Sequence, residues 1–278
     1  MPLLQLIVLA AVQGITEFLP VSSSGHLVLV PAVTGWPDQT LVIDTAVHVG
    51  TLGAVLIYFW RDMWSMLGGL WRLPRGRANP GARLFGLLVL ATIPVVIVGG
   101  LVSYFGVDEA LRSVQVIGWT TLGFGIVLFL ADRFFMTIRR LEQMPVGGAI
   151  TIGLAQVLAL VPGTSRSGIT MTAARILGFE RRDAARFSML MSIPAIAAAG
   201  VLKVVELYRG GDAQMTGDAV VVAILSFGIA IVAIAALMAW LRRANFTPFV
   251  VYRIGLGVGL LVWVYFFRDA AAVEILGG

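Results

Sequence analysis

The chain has 278 residues, 59% of them hydrophobic and 13% charged, with a mean hydropathy of +0.94 and a formal net charge of +5. Soluble domains carry about 25% charged residues, so the composition excludes a soluble globular domain and points to an all-α polytopic membrane protein. Alternating segments of about ten residues do not recur, which excludes an outer-membrane barrel, and the absence of cysteine excludes disulfides and thiolate chemistry.

Nineteen of the twenty basic residues are arginine, the exception being Lys203. In so apolar a chain their placement reads as a topology signal and not as affinity for nucleic acid. The first is Arg61, so the N-terminus lacks the basic region of a cleaved signal peptide.

In chain order, the apolar region 2–35 is interrupted at 13–26 by the polar island Q-G-I-T-E-F-L-P-V-S-S-S-G-H. Its halves, 3–18 and 25–34, are too short to cross about 30 Å of hydrocarbon at about 1.5 Å per residue. Segments 41–60, 84–105 and 113–133 are long enough. A second interrupted region, 147–178, carries P-G-T-S-R-S-G-I-T at 162–170, and further spans lie at 183–207, 217–241 and 249–268.

Arg133, Arg139 and Arg140 precede 147–178, and Arg175, Arg181, Arg182 and Arg186 follow it. Both ends therefore belong to the cytoplasmic side, and the segment is predicted to enter and leave on one face. The loop 61–83, with Arg61, Arg72, Arg75, Arg77 and Arg83, and the turn at Arg242 and Arg243 fall on the same side. The loops at 108–112, 209–218 and 268–274 balance acid against base and fall outside. Nothing basic fixes the N-terminus, so re-entrance of 2–35 is expected by analogy. The expected fold is a single membrane domain, 1–278, of six spanning helices plus two re-entrant helical hairpins. Its halves, about 1–133 and 147–268, each hold one hairpin and three spans. Three is odd, so the halves insert in opposite senses as an inverted-topology repeat. The sequence echo is L-P-V-S-S-S-G at 19–25 against V-P-G-T-S-R-S-G at 161–168, each with a glutamine upstream, Gln13 and Gln156.

Ionisable groups at membrane depth are costly, which marks Glu17, His26 and Arg166 as functional candidates. Gln13 and Glu17, four apart, share a helix face. Pro20 is expected to end that helix, Ser22, Ser23, Ser24 and Gly25 to form a loop, and His26 to open the next half-helix. A Ser/Gly turn before a helix presents backbone N–H groups and a positive dipole end to an anion. The second island repeats this with Gly163, Thr164, Ser165 and Ser167 and adds Arg166, whose planar fork suits phosphate; Thr170, one turn on, is expected on the same face. Such a set can bind a phosphate and move protons on it, and in a bilayer the natural phosphate substrate has a lipid tail.

Plainer readings compete. Hydroxyls in membrane helices bond to the preceding turn or join helices, which applies to Ser22 and Ser24, and the glutamines are as readily structural. Asp44 and His48 share a face, but a first-turn carboxylate is often a dipole partner. Asp132–Arg133, Arg242–Arg243 and Arg268–Asp269 read as interfacial anchors. Arg253, one turn inside the last span, either snorkels or pairs within the bundle.

These residues resemble the undecaprenyl-pyrophosphate phosphatase family of the bacitracin-resistance type. Its signatures are (E/Q)-x-x-x-E running into P-V-S-S-[ST]-G-H, and P-G-x-S-R-S-G-x-T. They stand here as Gln13-x-x-x-Glu17 through Pro20 to His26, and from Pro162 through Ser165, Arg166 and Ser167 to Thr170. The hydrophobic pattern matches along essentially the full chain. The resemblance implies hydrolysis of undecaprenyl pyrophosphate to undecaprenyl phosphate and inorganic phosphate, recycling the carrier lipid of cell-wall synthesis and conferring bacitracin resistance. It implies a site open to the outer face of the cytoplasmic membrane and assisted by Mg²⁺ or Ca²⁺. Carried over by motif position, Glu17, Ser23, His26 and Arg166 are the catalytic set. Gln13, Ser22, Ser24, Gly25, Gly163, Ser165, Ser167 and Thr170 would bind substrate. Glu17 is the metal-ligand candidate, with Gln13, which takes the less acidic of two allowed options.

Two mechanisms stay open. Ser23 attacks with His26 as base and water then cleaves the phosphoserine, or His26 is the nucleophile or the base for water, with Ser23 only binding. Glu17 would orient His26 or hold the metal. The alternative function is transport of a polyprenyl phosphate, since broken helices in an inverted repeat are a transporter's architecture; a channel would need a ring of charge that the spans lack. Beyond substrate and membrane lipid, helix-packing glycines suggest a second copy of the chain as partner, a homodimer.

Overall fold

The computed structural model describes residues 1–37, 39–72, 79–106, 111, 113–210 and 213–267. Arg75, Arg77, most of the 108–112 loop and the 268–274 segment lie outside them. The described residues form helices α1 (Leu3–Thr16), α2 (Ser23–Thr34), α3 (Leu41–Tyr58), α4 (Trp60–Arg72), α5 (Pro80–Tyr104), α6 (Val114–Phe134), α7 (Val146–Val157), α8 (Arg166–Ile176), α9 (Arg181–Gly210), α10 (Ala213–Trp240) and α11 (Thr247–Val262). They contain no strand, only an isolated bridge between Arg139 and Phe179.

Five stretches are long and apolar enough to cross a membrane, namely Leu41–Tyr58, Pro80–Tyr104, Val114–Phe134, Met215–Trp240 and Thr247–Phe267. The chain is thus a multi-pass membrane protein, and these stretches lie close to five of the six expected spans. The sixth, 183–207, falls within the 30-residue α9. Leu3–Thr16, Ser23–Thr34 and Val146–Leu160 are apolar but shorter.

One segment differs from the sequence reading. The first part of the 61–83 loop folds as α4, because Trp60, Trp64, Leu67 and Trp71 recur at helical spacing and make one exposed stripe, while Met66 and Gly69 are buried. The glycines seat α4 on α5, since a Cβ at Gly81 would stand 2.0 Å from Ser65 O.

Arginines tie together one end of the bundle. Arg175 and Arg181 bind Asp132 Oδ1 at 3.1 and 2.7 Å, and Phe246 N donates to its Oδ2 at 3.2 Å. Asp132 is therefore a buried hub and not the interfacial anchor its position suggested, because the chain leaving α8 and the start of α11 close over the last turn of α6. Arg186 pairs with Asp62, and Arg83 donates to Glu142 O at 3.1 Å and to Met144 O. These residues come from the segments assigned to a common side.

Both interrupted regions fold back. Arg139 N donates to Gly178 O and Glu180 N to Arg139 O, each at 2.9 Å, so the chain entering α7 runs beside the chain leaving α8. Gln5 Nε2 donates to Pro37 O at 3.1 Å, which puts the start of α1 beside the chain after α2. An apolar cluster of buried side chains, including Phe18, Met171, Phe187, Leu190 and Phe246, packs residues of both regions with those of other helices.

Candidate active site

Ser22 and Ser165 are the non-glycine residues with positive φ among the described residues, at 78° and 72°. Such a backbone costs about 1–3 kcal/mol and persists only where its surroundings impose it. Each serine caps a helix: Ser22 Oγ accepts from Gly25 N at 3.3 Å, and Ser165 Oγ from Gly168 N at 3.0 Å. Each hydroxyl also meets the serine two residues on, Ser24 at 3.4 Å and Ser167 at 3.2 Å. The helices therefore begin earlier than the sequence suggested. Ser23, Ser24 and Gly25 lie in the first turn of α2 with His26, and Arg166 and Ser167 in that of α8. First-turn N–H groups have no preceding helical carbonyl to reach, so both turns favour an anion.

The two loops touch. Ser167 Oγ donates to Leu19 O at 2.8 Å, and a Cβ on Gly25 would stand 3.5 Å from Gly163 Cα. Gly163 has φ 88°, and a Cβ there would fall 2.2 Å from Thr120 Oγ1, so only glycine fits.

Glu17 stands at the centre, buried, with donors on both carboxylate oxygens. Its Oε1 accepts from Arg166 Nη2 at 2.9 Å; its Oε2 accepts from Ser23 Oγ at 2.6 Å and Gln13 Nε2 at 2.9 Å. Arg166 Nη1 also donates to Ser188 O at 3.3 Å, and Thr170 Oγ1 lies 2.8 Å from Arg166 O and 2.7 Å from Ser188 Oγ. Thr170 thus holds the α8 turn that carries Arg166 to α9. Ser188 does part of this, and nothing in the sequence marked it, since it lies within an apolar span.

A cavity of about 470 Å³ opens onto the cluster, with Glu17, Ser23, Ser24, Asp44, His48, Ser165 and Arg166 on its polar wall and Leu41, Leu160 and Ile196 among its apolar lining. Gln13, Ser22, Gly25, His26, Gly163, Ser167 and Thr170 do not line it. A larger cavity, about 700 Å³, lies at the arginine-tied end, where Arg83 and Arg186 are already engaged with Glu142, Met144 and Asp62.

The chain's two histidines share one tether. Nδ1 of His26 lies 2.6 Å from Ser22 O, and Nδ1 of His48 lies 2.6 Å from Asp44 O. A carbonyl only accepts, so Nδ1 carries the proton in both. His26 Nε2 then accepts from the Tyr252 hydroxyl at 2.6 Å, with the rings stacked at 5.7 Å. Both its nitrogens are engaged away from Ser23 and Glu17. His48 Nε2 faces Glu17 Oε2 at 3.8 Å, so the imidazole that approaches the carboxylate is His48. Tyr252 was not anticipated, because a tyrosine in a span carries little sequence signal.

Residues 6–259 match the family model of the bacitracin resistance protein BacA. The chain belongs to that family. Undecaprenyl-diphosphatase 1 of Rhodospirillum rubrum is 52% identical over 277 residues, 98% of each chain. The undecaprenyl-diphosphatase of Roseobacter denitrificans is 53% identical over 266 residues, 95% of this chain and 100% of the relative. That of Hahella chejuensis is 47% identical over 263 residues, 94% and 98%.

In this BacA-family chain Gln13 Oε1 is buried beside Glu17 with no hydrogen-bond partner among the described residues. No cluster of three His, Cys, Asp or Glu side chains suited to an ion occurs among them. Mg²⁺ commonly takes only one or two protein oxygens and draws the rest from phosphate and water. Glu17 and Gln13 Oε1 fit that limited role.

Proposed function

We propose that this BacA-family protein is an undecaprenyl-diphosphatase. It hydrolyses undecaprenyl pyrophosphate to undecaprenyl phosphate and inorganic phosphate, recycling the lipid carrier for cell-wall synthesis and conferring bacitracin resistance. The observation that carries the site assignment is the convergence of two capped turns on one carboxylate, with Ser23 at 2.6 Å and Arg166 at 2.9 Å beside a cavity that is largely apolar.

The chemistry follows from these distances. Ser23 Oγ attacks the terminal phosphorus while its proton passes to Glu17 Oε2. The bond from that phosphorus to the bridging oxygen breaks, and undecaprenyl phosphate leaves. Neutralising Glu17 frees Arg166 for the phosphate oxygens, which the N–H groups of both turns also bind. Water then attacks the phosphoserine, Glu17 returns its proton to Ser23 Oγ, and inorganic phosphate departs. His26 steadies the α2 turn through Ser22 O and Tyr252. Glu17 and Gln13 Oε1 would hold a divalent cation, Mg²⁺ or Ca²⁺, which would supply neutralisation of pyrophosphate charge as the substrate binds.

In the membrane, α1–α2 and α7–α8 are re-entrant hairpins, and α3, α5, α6, α9, α10 and α11 are six spans. The halves, about 1–133 and 147–268, form an inverted repeat. The adjoining ends of both hairpins and the matched caps at Ser22 and Ser165 support this reading. With the arginine-tied end in the cytoplasm, the cavity beside Leu41 and Asp44, at the start of α3, opens to the outer face of the bacterial cytoplasmic membrane. Gly255 and Gly259 on α11 have nothing within 4 Å of a built Cβ and offer a face for a homodimer.

The deciding experiment is phosphate release from undecaprenyl pyrophosphate by purified protein in detergent, where transport has no meaning. Wild type is expected to release phosphate and to yield a trapped phosphoserine at position 23. A Ser23→Ala variant with undiminished kcat would overturn the serine route.

A further inference from the structure

Arg253, on α11, is 0% exposed, and its hydrogen bonds all go to main-chain carbonyls. Nε donates to Thr121 O at 3.1 Å and Nη1 to Pro20 O at 3.2 Å. Nη2 donates to Thr164 O at 3.0 Å, Gly163 O at 3.1 Å and Thr120 O at 3.4 Å. Thr120 and Thr121 belong to α6, Pro20 to the first polar loop, and Gly163 and Thr164 to the second.

A buried guanidinium without a carboxylate is costly, and an apolar side chain could fill the same volume without that cost. What the guanidinium adds is a rigid planar fork of five donors, able to fix several acceptors in one plane. Room is kept for it: a Cβ at Gly168 would stand 2.8 Å from Arg253 Nη1, and one at Gly125 3.0 Å from Arg253 Cβ. Apart from this fork, the polar bonds that join one loop directly to the other are Arg166 to Glu17 and Ser167 to Leu19. The first of these must open when the substrate takes Arg166.

We infer that Arg253 is a positioning residue for the hydrolysis: its guanidinium locks the two polar loops together through their carbonyls and keeps Ser23 and Glu17 in reach of Arg166 while the Arg166–Glu17 contact opens. The inference rests on the reading of the site given above. A lysine would serve less well, since one ammonium has three donors and no plane.

The test uses full-length protein in detergent with Arg253→Met and Arg253→Lys. Misplacement of reacting groups by about 1 Å costs about 100-fold in rate. Arg253→Met is therefore expected to lower kcat about 100-fold while KM moves less than about threefold, with Arg253→Lys between it and wild type. Because the chain has no cysteine, Val33→Cys and Leu154→Cys, both exposed and one in each hairpin, take a pair of spin labels cleanly. The interspin distance distribution is expected to broaden or shift in the Arg253→Met background. An Arg253→Met kcat within about twofold of wild type, or an unchanged distance distribution, would overturn the inference. The distance measurement needs no turnover, so it still decides the matter if the wild type releases no phosphate and the functional reading itself fails.

Discussion

The Ser23 hydroxyl and the Glu17 carboxylate stand 2.6 Å apart across the turn that joins α1 to α2, and no imidazole lies between them. In the proposed mechanism the nucleophile thus has its base within its own hairpin. Ser23→Ala and Glu17→Gln are each expected to lower kcat by about 10²–10⁴-fold, the range a positioned base or nucleophile supplies. Phosphate release at saturating substrate measures it, and only the Glu17→Gln variant should still form the phosphoserine, slowly.

Arg166 meets both Glu17 Oε1 and Ser188 O with its fork, a geometry that an ammonium cannot copy. Arg166→Lys is expected to reduce kcat/KM by about 10²–10³-fold, comparable to the loss of one preorganised donor to a developing charge. A full pH-independent comparison of kcat and KM would show whether the loss lies in binding or in turnover.

His26 is held by Tyr252, and His48 is the imidazole nearer Glu17. Tyr252→Phe removes one neutral hydrogen bond, worth about 1 kcal/mol, and should lower kcat by less than about tenfold. His48→Gln, which keeps a polar side chain against Glu17, is likewise expected to cost less than about tenfold, because its contact is long. A loss approaching that of Glu17→Gln would instead make His48 part of the chemistry.

Asp132 neutralises Arg175, which is 1% exposed, and also binds Arg181. Asp132→Asn leaves a buried guanidinium without its charge partner and should destabilise the fold by about 3–5 kcal/mol. Thermal unfolding in detergent reads this directly. The kcat of the protein that remains folded should match wild type, since Asp132 lies at the arginine-tied end and not at the cavity beside Glu17.

The orphaned Gln13 Oε1 beside Glu17 leads to a test of the cation. Removal of divalent ions with a chelator should depress phosphate release, and Mg²⁺ or Ca²⁺ should restore it. Gln13→Glu would add a second carboxylate and should lower the half-saturating cation concentration by about tenfold, as a charged ligand replaces a neutral one.

Much of the fold was legible because membrane burial is written one-dimensionally. Apolar length marks the spans, and Pro, Gly and Ser mark the interruptions. The stretch 60–72 escaped this reading because its arginines resemble a loop while its tryptophans keep helical period. The polar islands stood out because Glu17 and Arg166 are costly in hydrocarbon without a partner, and each proves to be the other's. Their other partners did not, since a serine at 188 or a tyrosine at 252 is unremarkable until another helix lies against it.

The sequence by itself determined that the protein crosses the membrane several times and that two interrupted apolar regions carry its polar islands. The tertiary structure alone decided which of their residues meet. Glu17 and Arg166, 149 positions apart, close to 2.9 Å, while His26 turns to Tyr252 and leaves Ser23 to Glu17. Contact across such separations depends on how the two loops dock, and carbonyl oxygens from both loops gather around the Arg253 guanidinium. Every residue contributes an identical carbonyl, so no residue type in the sequence announces it.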